Sequence, residues 1–213
     1  MTLFEATNPP PNTRPRYNAC PTQQISVVRF NPETQERSLD QVTWGLIPIW
    51  AKDRKIANQT FNARAETVAT KPAFRDAYAK RRCLIPIDAF YEWKKVDAKT
   101  KQPYAIRALA DGDLLVLAGL WERWKNPETG EIERSASIIT TTASEQMAPL
   151  HDRMPVIVHK MNWSIWLGEQ LASSEQVAAL LAPWPEPLHM YPVGRDVGNT
   201  RVDRPDLIEP LAA

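Results

Sequence analysis

The stretch QISVVRFNPETQERSLDQVTWGLI, residues 24–47, carries the pattern that decides the fold of this chain. Residues 24–30 alternate between apolar and polar side chains and are rich in β-branched residues, which predicts a β-strand. Residues 31–37 are polar and contain a proline, which indicates a turn, and residues 38–47 return as a second strand. Two strands joined by so short a connection are expected to pair as an antiparallel hairpin.

The remainder of the chain continues in short strands with short connections, and helical spacing occurs in a few places. Further strands are predicted at residues 83–95, 103–109, 113–124, 135–143, 155–158 and 189–194. Helices are predicted at residues 71–82, 144–150, 162–169 and 173–182. The predicted fold class is therefore α+β, in a single domain of residues 1–213 made mostly of antiparallel β-sheet.

The composition limits the functional classes that this chain can belong to. Its 213 residues suit one domain with a substantial core, and its formal net charge is only +1. A role with nucleic acid therefore requires a local basic face rather than bulk charge. Two cysteines are too few for a disulfide framework, and no apolar run reaches the roughly 18 residues of a membrane span. Because no secretory signal pattern opens the chain, we expect a cytoplasmic protein.

Motifs of cofactor and metal chemistry are missing from the sequence. It contains no GxGxxG motif, no Walker A motif and no CxxC pair. His151 and His159 lie eight residues apart across a predicted strand, which is not the spacing of metal ligands. We therefore expect no cofactor and no metal.

Three polar clusters suggest chemistry: FNARAET (61–67), FYEWK (90–94) and HDR (151–153). Aromatic residues flank Glu92 on both sides, and such a setting favours a raised carboxyl pKa that suits proton transfer near neutrality. His151 titrates in the same range. Arg64 and Arg153 could each hold a phosphate group.

Each of these residues also has an ordinary structural explanation. His151 could be a packing residue after a turn, and Glu92 could face solvent from an edge strand. Asn62 could cap a turn, and Arg153 could simply pair with Asp152. The residues taken singly leave these alternatives open.

Taken together, the clusters belong to an ordered set of motifs that closely resembles the SRAP family, the SOS-response-associated peptidase-like proteins that shield abasic sites in single-stranded DNA. The resemblance runs from about residue 14 to residue 210. It implies a barrel-like core of β-sheets flanked by helices, with a positively charged groove for single-stranded DNA. The motifs are RYNACPTQ (16–23), WGLIPIWAKD (44–53), NARAET (62–67), KPAFR (71–75), RRCLIPIDAFYEWKK (81–95), KQPY (101–104), AGLWERW (118–124), SIITTTA (137–143) and HDRMPVIV (151–158).

The resemblance implies three catalytic residues. The asparagine of the family matches Asn62, which would orient the amine or the opened sugar by hydrogen bonding. The glutamate matches Glu92, which would move protons while a carbinolamine and an imine form. The histidine matches His151, which would act as an acid or base on the sugar oxygen.

The resemblance also implies a DNA-binding set. Arg64 and Arg153 would hold the phosphates that flank the lesion, and Trp50 would stack on the bases where the strand kinks. Thr141 lies in the strand that would line the same groove. The expected partner is single-stranded DNA with abasic sites, bound by a monomer that does not associate with membranes and works at the nucleoid of a bacterium.

The N-terminus departs from the family pattern. Family chemistry begins from a cysteine at position 2, whose α-amine and thiol close a thiazolidine ring on the abasic aldehyde. This chain begins MTLFEATNPP and has Thr2 at that position, so we expect the Met-Cys segment to be missing and leave the nucleophile unassigned. Cys20 and Cys83 are internal, so neither can form the ring. An abasic-site crosslinking or lyase activity, a thiol autopeptidase and a non-covalent single-strand binder all remain open.

Overall fold

The computed structural model describes residues 3–211 and confirms the hairpin predicted from residues 24–47. Its two strands pair antiparallel from Gln24 opposite Thr43 to Asn31 opposite Glu36. The described residues contain ten strands: β1 (Gln24–Asn31), β2 (Glu36–Trp44), β3 (Asn62–Arg64), β4 (Arg82–Ile87), β5 (Ala89–Lys95), β6 (Lys101–Ala108), β7 (Leu115–Lys125), β8 (Ile132–Thr142), β9 (Arg153–Pro155) and β10 (Leu188–Pro192).

Five of the strands close into a mixed barrel. β1 pairs antiparallel with β2 and β4, β4 with β7, and β7 with β8. The ring closes where β8 pairs parallel with β2, with Thr43 opposite Ser135 and Trp44 opposite Ala136. Closure satisfies backbone groups that an open sheet would leave unpaired at its edges. The predicted α+β class with a barrel-like core is therefore confirmed.

A second, smaller sheet is formed by β10, β6 and β5, all antiparallel. The single strand predicted over residues 83–95 is wrong, because it is two strands that belong to different sheets. β4 pairs with β7 of the barrel, whereas β5 pairs with β6, and Asp88 between them is unpaired. The sequence of residues 83–95 gave no indication that its two halves pair with different strands, because that pairing depends on contacts distant in sequence.

Three short α-helices flank the barrel: α1 (Arg75–Lys80), α2 (Trp163–Leu167) and α3 (Ser174–Ala179). Ser173 caps α3, since its side chain accepts a hydrogen bond from the backbone N–H of Gln176. The helix predicted at residues 144–150 is wrong, and the segment forms turns. Pro149 explains this, because it donates no backbone hydrogen bond and disfavours helical geometry at the residue before it. No helix in residues 3–211 is long and apolar enough to cross a membrane.

The two faces of the barrel strands pack against different partners. Val28 and Leu84 lie in a core cluster with the residues of α1 and α2, including Trp166, whose indole Nε1–H donates to the Cys83 carbonyl at 2.8 Å. Val27 and Cys83, one residue away on each strand, lie in a second cluster that includes Ile106 of the smaller sheet. The period-2 alternation of a strand therefore places the helices and the second sheet on opposite faces.

The motif RYN (16–18) fastens the C-terminal loop to the smaller sheet. The buried Asn18 amide donates hydrogen bonds to the carbonyls of Val197 and Val202, at 3.1 and 3.0 Å. The Tyr91 hydroxyl of β5 donates to the Tyr17 carbonyl at 2.8 Å. These bonds hold β5 from the side away from the barrel, so the neighbouring Glu92 has a fixed backbone.

Replacement of Gly119 by alanine is expected to lower the free energy of unfolding by about 1–3 kcal/mol, the usual cost of overpacking. An added Cβ would lie 2.6 Å from Ile85 Cδ1 and 2.9 Å from Cys83 Sγ. Urea unfolding measures the change. Gly194→Ala is the matched control, because its Cβ would meet nothing within 4 Å and should change stability by less than about 0.5 kcal/mol. Equal losses in both variants would contradict this account.

Candidate active site and nucleic-acid interface

β8 extends beyond the barrel and carries the candidate site on its two sides. On one side β3 runs parallel to it, with Asn62 opposite Ile138 and Arg64 opposite Thr140. On the other side β9 runs antiparallel, with Arg153 opposite Thr142. Three predicted site residues from two distant segments therefore meet at one end of a single strand.

Arg153 is held by Glu66 and not by Asp152, which corrects one of the structural alternatives raised above. Its two terminal nitrogens each donate to one carboxylate oxygen of Glu66, in the bidentate fork that arginine forms with carboxylates. Nη2 also donates to the Thr140 carbonyl at 2.7 Å. The guanidinium of Arg153 is therefore fixed between β8 and the segment after β3.

His151 is oriented by the backbone of its own loop. The Arg153 backbone N–H donates to His151 Nδ1 at 3.0 Å, and an Asp152 carboxylate oxygen lies 3.3 Å from the same nitrogen. The Arg153 carbonyl oxygen also lies 3.2 Å from Nδ1, so this nitrogen is engaged by its own loop in either tautomer. Nε2 is therefore the ring nitrogen left to exchange a proton with a ligand, and the side chain is 42 % exposed.

Glu92 lies on β5 of the smaller sheet, opposite Tyr104. Burial raises the pKa of its carboxyl, and the nearby charge of His151 lowers that pKa in part. Asp152 acts in the opposite direction and raises the Glu92 pKa. Glu92 and the loop of His151 are thus close enough to interact electrostatically, although they belong to different sheets. A carboxyl group in this state can accept or release a proton nearer to neutrality than an ordinary glutamate.

The side chains of Asn62 and Arg64 are exposed on β3. Within residues 3–211, no carboxylate lies within 4 Å of Arg64 to form an ion pair. The hydrogen bonds from Arg153 make the largest contribution to lowering the pKa of Glu66. The positive charge of Arg64 lowers that pKa as well. Arg64 is therefore the arginine of this cluster that is free to bind an anion.

Trp50 and Thr141 differ in their accessibility. Trp50 is 54 % exposed on the loop after β2, where its indole Nε1–H donates to the Pro72 carbonyl at 3.4 Å. An exposed indole of this kind has a free face for stacking. Thr141 is buried at 5 % exposure on β8, so its side chain supports the strand more than it presents a surface.

Glu66 and Thr140 are the site residues that sequence reasoning did not assign. Both fall inside motifs quoted above, NARAET and SIITTTA, yet neither motif indicates that its residue will contact Arg153. The two contacts span 87 and 13 residues of sequence. Only the strand register brings these groups to one guanidinium.

The two cysteines do not supply a reactive thiol to this site. Cys83 is fully buried on β4, and burial raises the pKa of its thiol far above the usual range. Cys20 is half-buried, and burial raises its pKa as well. Thr2 lies outside the described residues.

Comparison with known proteins places this fold and site in context. Residues 2–200 match the family model described as SOS response associated peptidase (SRAP). The chain is 42 % identical over 196 residues to the abasic site processing protein YoqW of Bacillus subtilis, covering 92 % of this chain and 86 % of that protein. It is 30 % identical to the abasic site processing protein HMCES of Gallus gallus over 93 % of this chain and 67 % of that protein.

Solved structures agree with this relationship. A crystal structure of a protein from Bacteroides thetaiotaomicron matches with a TM-score of 0.79 and 28 % identity, covering 90 % of this chain and 82 % of that one. One from Bordetella bronchiseptica matches with a TM-score of 0.75 and 30 % identity, covering 91 % and 93 %.

The electrostatic contact between Glu92 and the loop of His151 predicts opposite effects of two neighbouring substitutions. His151→Gln should raise the Glu92 pKa further, because it removes a positive charge that lowers it. Asp152→Asn, the matched control, should lower the Glu92 pKa, because it removes a negative charge that raises it. A pH titration of the Glu92 carboxyl carbon by NMR measures both. Shifts in the same direction would show that the two groups do not act through charge.

Proposed function

Because this chain belongs to the SRAP family, we propose that it binds single-stranded DNA and processes abasic sites in the response to DNA damage. The observation that carries the proposal is the partly buried Glu92, whose carboxyl has a raised pKa and lies within electrostatic range of His151. Arg64, which has no carboxylate partner within residues 3–211, lies opposite Thr140 at the end of β8, and Thr140 also bonds Arg153. The names of the similar Bacillus and chicken proteins support the choice of an abasic site as substrate.

The proposed DNA contacts are of two kinds, ionic contacts to phosphates and stacking on bases. Arg64 binds a phosphate beside the lesion, because its guanidinium is exposed and uncommitted to a carboxylate of the described chain. The exposed indole of Trp50 stacks on a base, a contact worth roughly 1–3 kcal/mol. Arg153 contributes a second cation next to His151. The buried Thr141 supports β8, the strand with which both β3 and β9 pair.

The chemistry begins with the aldehyde of the ring-opened abasic sugar. His151 protonates or deprotonates the sugar oxygen as the ring opens, and Asn62 orients the reacting groups by hydrogen bonding. An amine adds to the aldehyde carbon to give a carbinolamine. Glu92 then donates a proton to the carbinolamine hydroxyl, which leaves as water when the imine forms. A thiol on the same residue as the amine can add to the imine carbon, with transfer of its proton to nitrogen, and close a thiazolidine.

The amine is the part of this mechanism that residues 3–211 do not identify. An α-amine suits the reaction, because its pKa of about 7.7–8.0 leaves a useful neutral fraction at pH 7, whereas a lysine at about 10.4 leaves far less. Cys20 and Cys83 have no free α-amine, and the raised pKa of each thiol also disfavours a thiol peptidase. We propose that adduct formation requires an N-terminal cysteine. The acting unit is the single domain of residues 1–213, working as a cytoplasmic monomer at the nucleoid.

Arg64→Gln is expected to weaken binding to undamaged single-stranded DNA by about tenfold at low salt, because it removes a charge-assisted contact to phosphate. The salt dependence should also become shallower, by about 0.7 in the log–log slope. Fluorescence anisotropy with a labelled oligonucleotide measures both quantities. Lys125→Gln is the control, because Lys125 pairs with Ile132, roughly 26 Å along β8 from Thr140. Equal weakening by both substitutions would contradict a specific role for Arg64.

Adduct formation tests the nucleophile separately from binding. An oligonucleotide with one abasic site should be shifted on a denaturing gel by a form extended upstream to a Met-Cys start, and much less by the chain beginning at Met1. Glu92→Gln in the extended form should slow the shift by about 10²-fold or more while leaving DNA binding nearly unchanged, because it removes proton transfer alone. An equal shift by both forms would assign the reaction to another amine. Loss of binding in Glu92→Gln would overturn its role in proton transfer.

A further inference from the structure

The Glu66–Arg153 ion pair uses the part of the arginine that would otherwise bind a phosphate. Nη1 and Nη2 of Arg153 each donate to one oxygen of Glu66, so the forked edge of the guanidinium is occupied. Carboxylates and phosphates both accept this bidentate geometry from arginine. A phosphate can therefore take the same edge of Arg153 only if the Glu66 carboxylate leaves.

The two partners of this ion pair are held very differently. Arg153 is 19 % exposed and is also bonded to Thr140, through the backbone carbonyl at 2.7 Å and the hydroxyl at 3.2 Å. Glu66 is 47 % exposed, and Arg153 is the only side chain in residues 3–211 that bonds its carboxylate. Glu66 can rotate into solvent while Thr140 keeps the guanidinium in place.

The neighbouring Arg64 favours such an exchange. A DNA phosphate bound by Arg64 would bring a negative charge close to the Glu66 carboxylate, which already feels the charge of Arg64. Two negative charges repel each other, so a phosphate bound by Arg64 would weaken the ion pair that Glu66 makes with Arg153. The same phosphate backbone offers Arg153 a replacement acceptor.

We propose that Glu66 is a built-in substitute for a DNA phosphate, which occupies the fork of Arg153 in the free protein and is displaced when single-stranded DNA binds. The inference rests on the proposed function and names how that site receives the DNA backbone. Since the backbone N–H of Arg153 bonds His151 Nδ1, the exchange takes place beside His151. Glu66 thereby sets how tightly undamaged strands bind.

Glu66→Gln tests the exchange directly. Glutamine keeps the shape of the side chain but lacks the charge that competes for Arg153, so binding to undamaged single-stranded DNA should tighten by about threefold to fivefold at low salt. The salt dependence should steepen by up to about 0.7 in the log–log slope, the contribution of one phosphate on a single strand. Anisotropy titrations with a labelled abasic-free oligonucleotide measure both.

Two comparisons separate exchange from other effects of the same substitution. Glu33→Gln, in the exposed turn between β1 and β2, removes the same charge away from the site and should leave affinity nearly unchanged. In an Arg153→Gln background, Glu66→Gln should give no gain. Thermal melts establish that each variant is folded, and Glu66→Ala serves in place of Glu66→Gln if that variant does not fold.

The outcomes distinguish the inference from the function on which it rests. Weaker binding by Glu66→Gln would overturn the exchange and make Glu66 a positioning residue for Arg153. An equal gain in Glu33→Gln, or a gain that persists without Arg153, would overturn it as well. If the unmodified protein binds single-stranded DNA and Glu66→Gln changes nothing, only the exchange fails. If no form binds single-stranded DNA, the proposed function fails with it.

Discussion

The parallel pairing of β2 with β8 is the constraint on which the rest of the structure depends. Thr43 opposite Ser135 and Trp44 opposite Ala136 close the barrel, although these strands lie about ninety residues apart in the chain. Beyond this closure, the C-terminal end of β8 pairs with β3 on one side and with β9 on the other. A shift of one residue would turn every side chain of β8 to the opposite face. The geometry of the site therefore depends on the register of β8, the strand that also closes the barrel.

Two sheets contribute residues to the proposed chemistry. The barrel extension carries His151 on a loop where one ring nitrogen is engaged by the backbone of Arg153. The smaller sheet carries Glu92 in a position buried enough to raise its pKa. Burial raises the pKa of the Glu92 carboxyl towards neutrality within electrostatic range of the His151 imidazole, which suits a sequence of proton transfers.

The charge pattern around this pair explains how a protein of net charge +1 can be suited to DNA. The net charge contributes little to DNA binding, so binding depends on which arginine side chains have no carboxylate partner. Arg64 is exposed and free of an ion pair in the described residues, whereas Arg153 is neutralised by Glu66. Under the proposed exchange, internal neutralisation of Arg153 by Glu66 lowers the affinity for undamaged strands relative to a site with two free arginines.

The sequence by itself determined the fold class, the family and the local elements outside residues 83–95 and 144–150. The alternation in residues 24–47 predicted the hairpin because strand periodicity is a local property, and the ordered motifs identified the family across most of the chain. Prediction from the local pattern failed at residues 83–95, where the chain changes from one sheet to the other. It also failed at residues 144–150, where Pro149 disfavours a helix. The tertiary structure alone decided that Glu66 is the partner of Arg153 and that Glu92 lies near His151. Those contacts depend on strand register and burial, which distant parts of the chain set together.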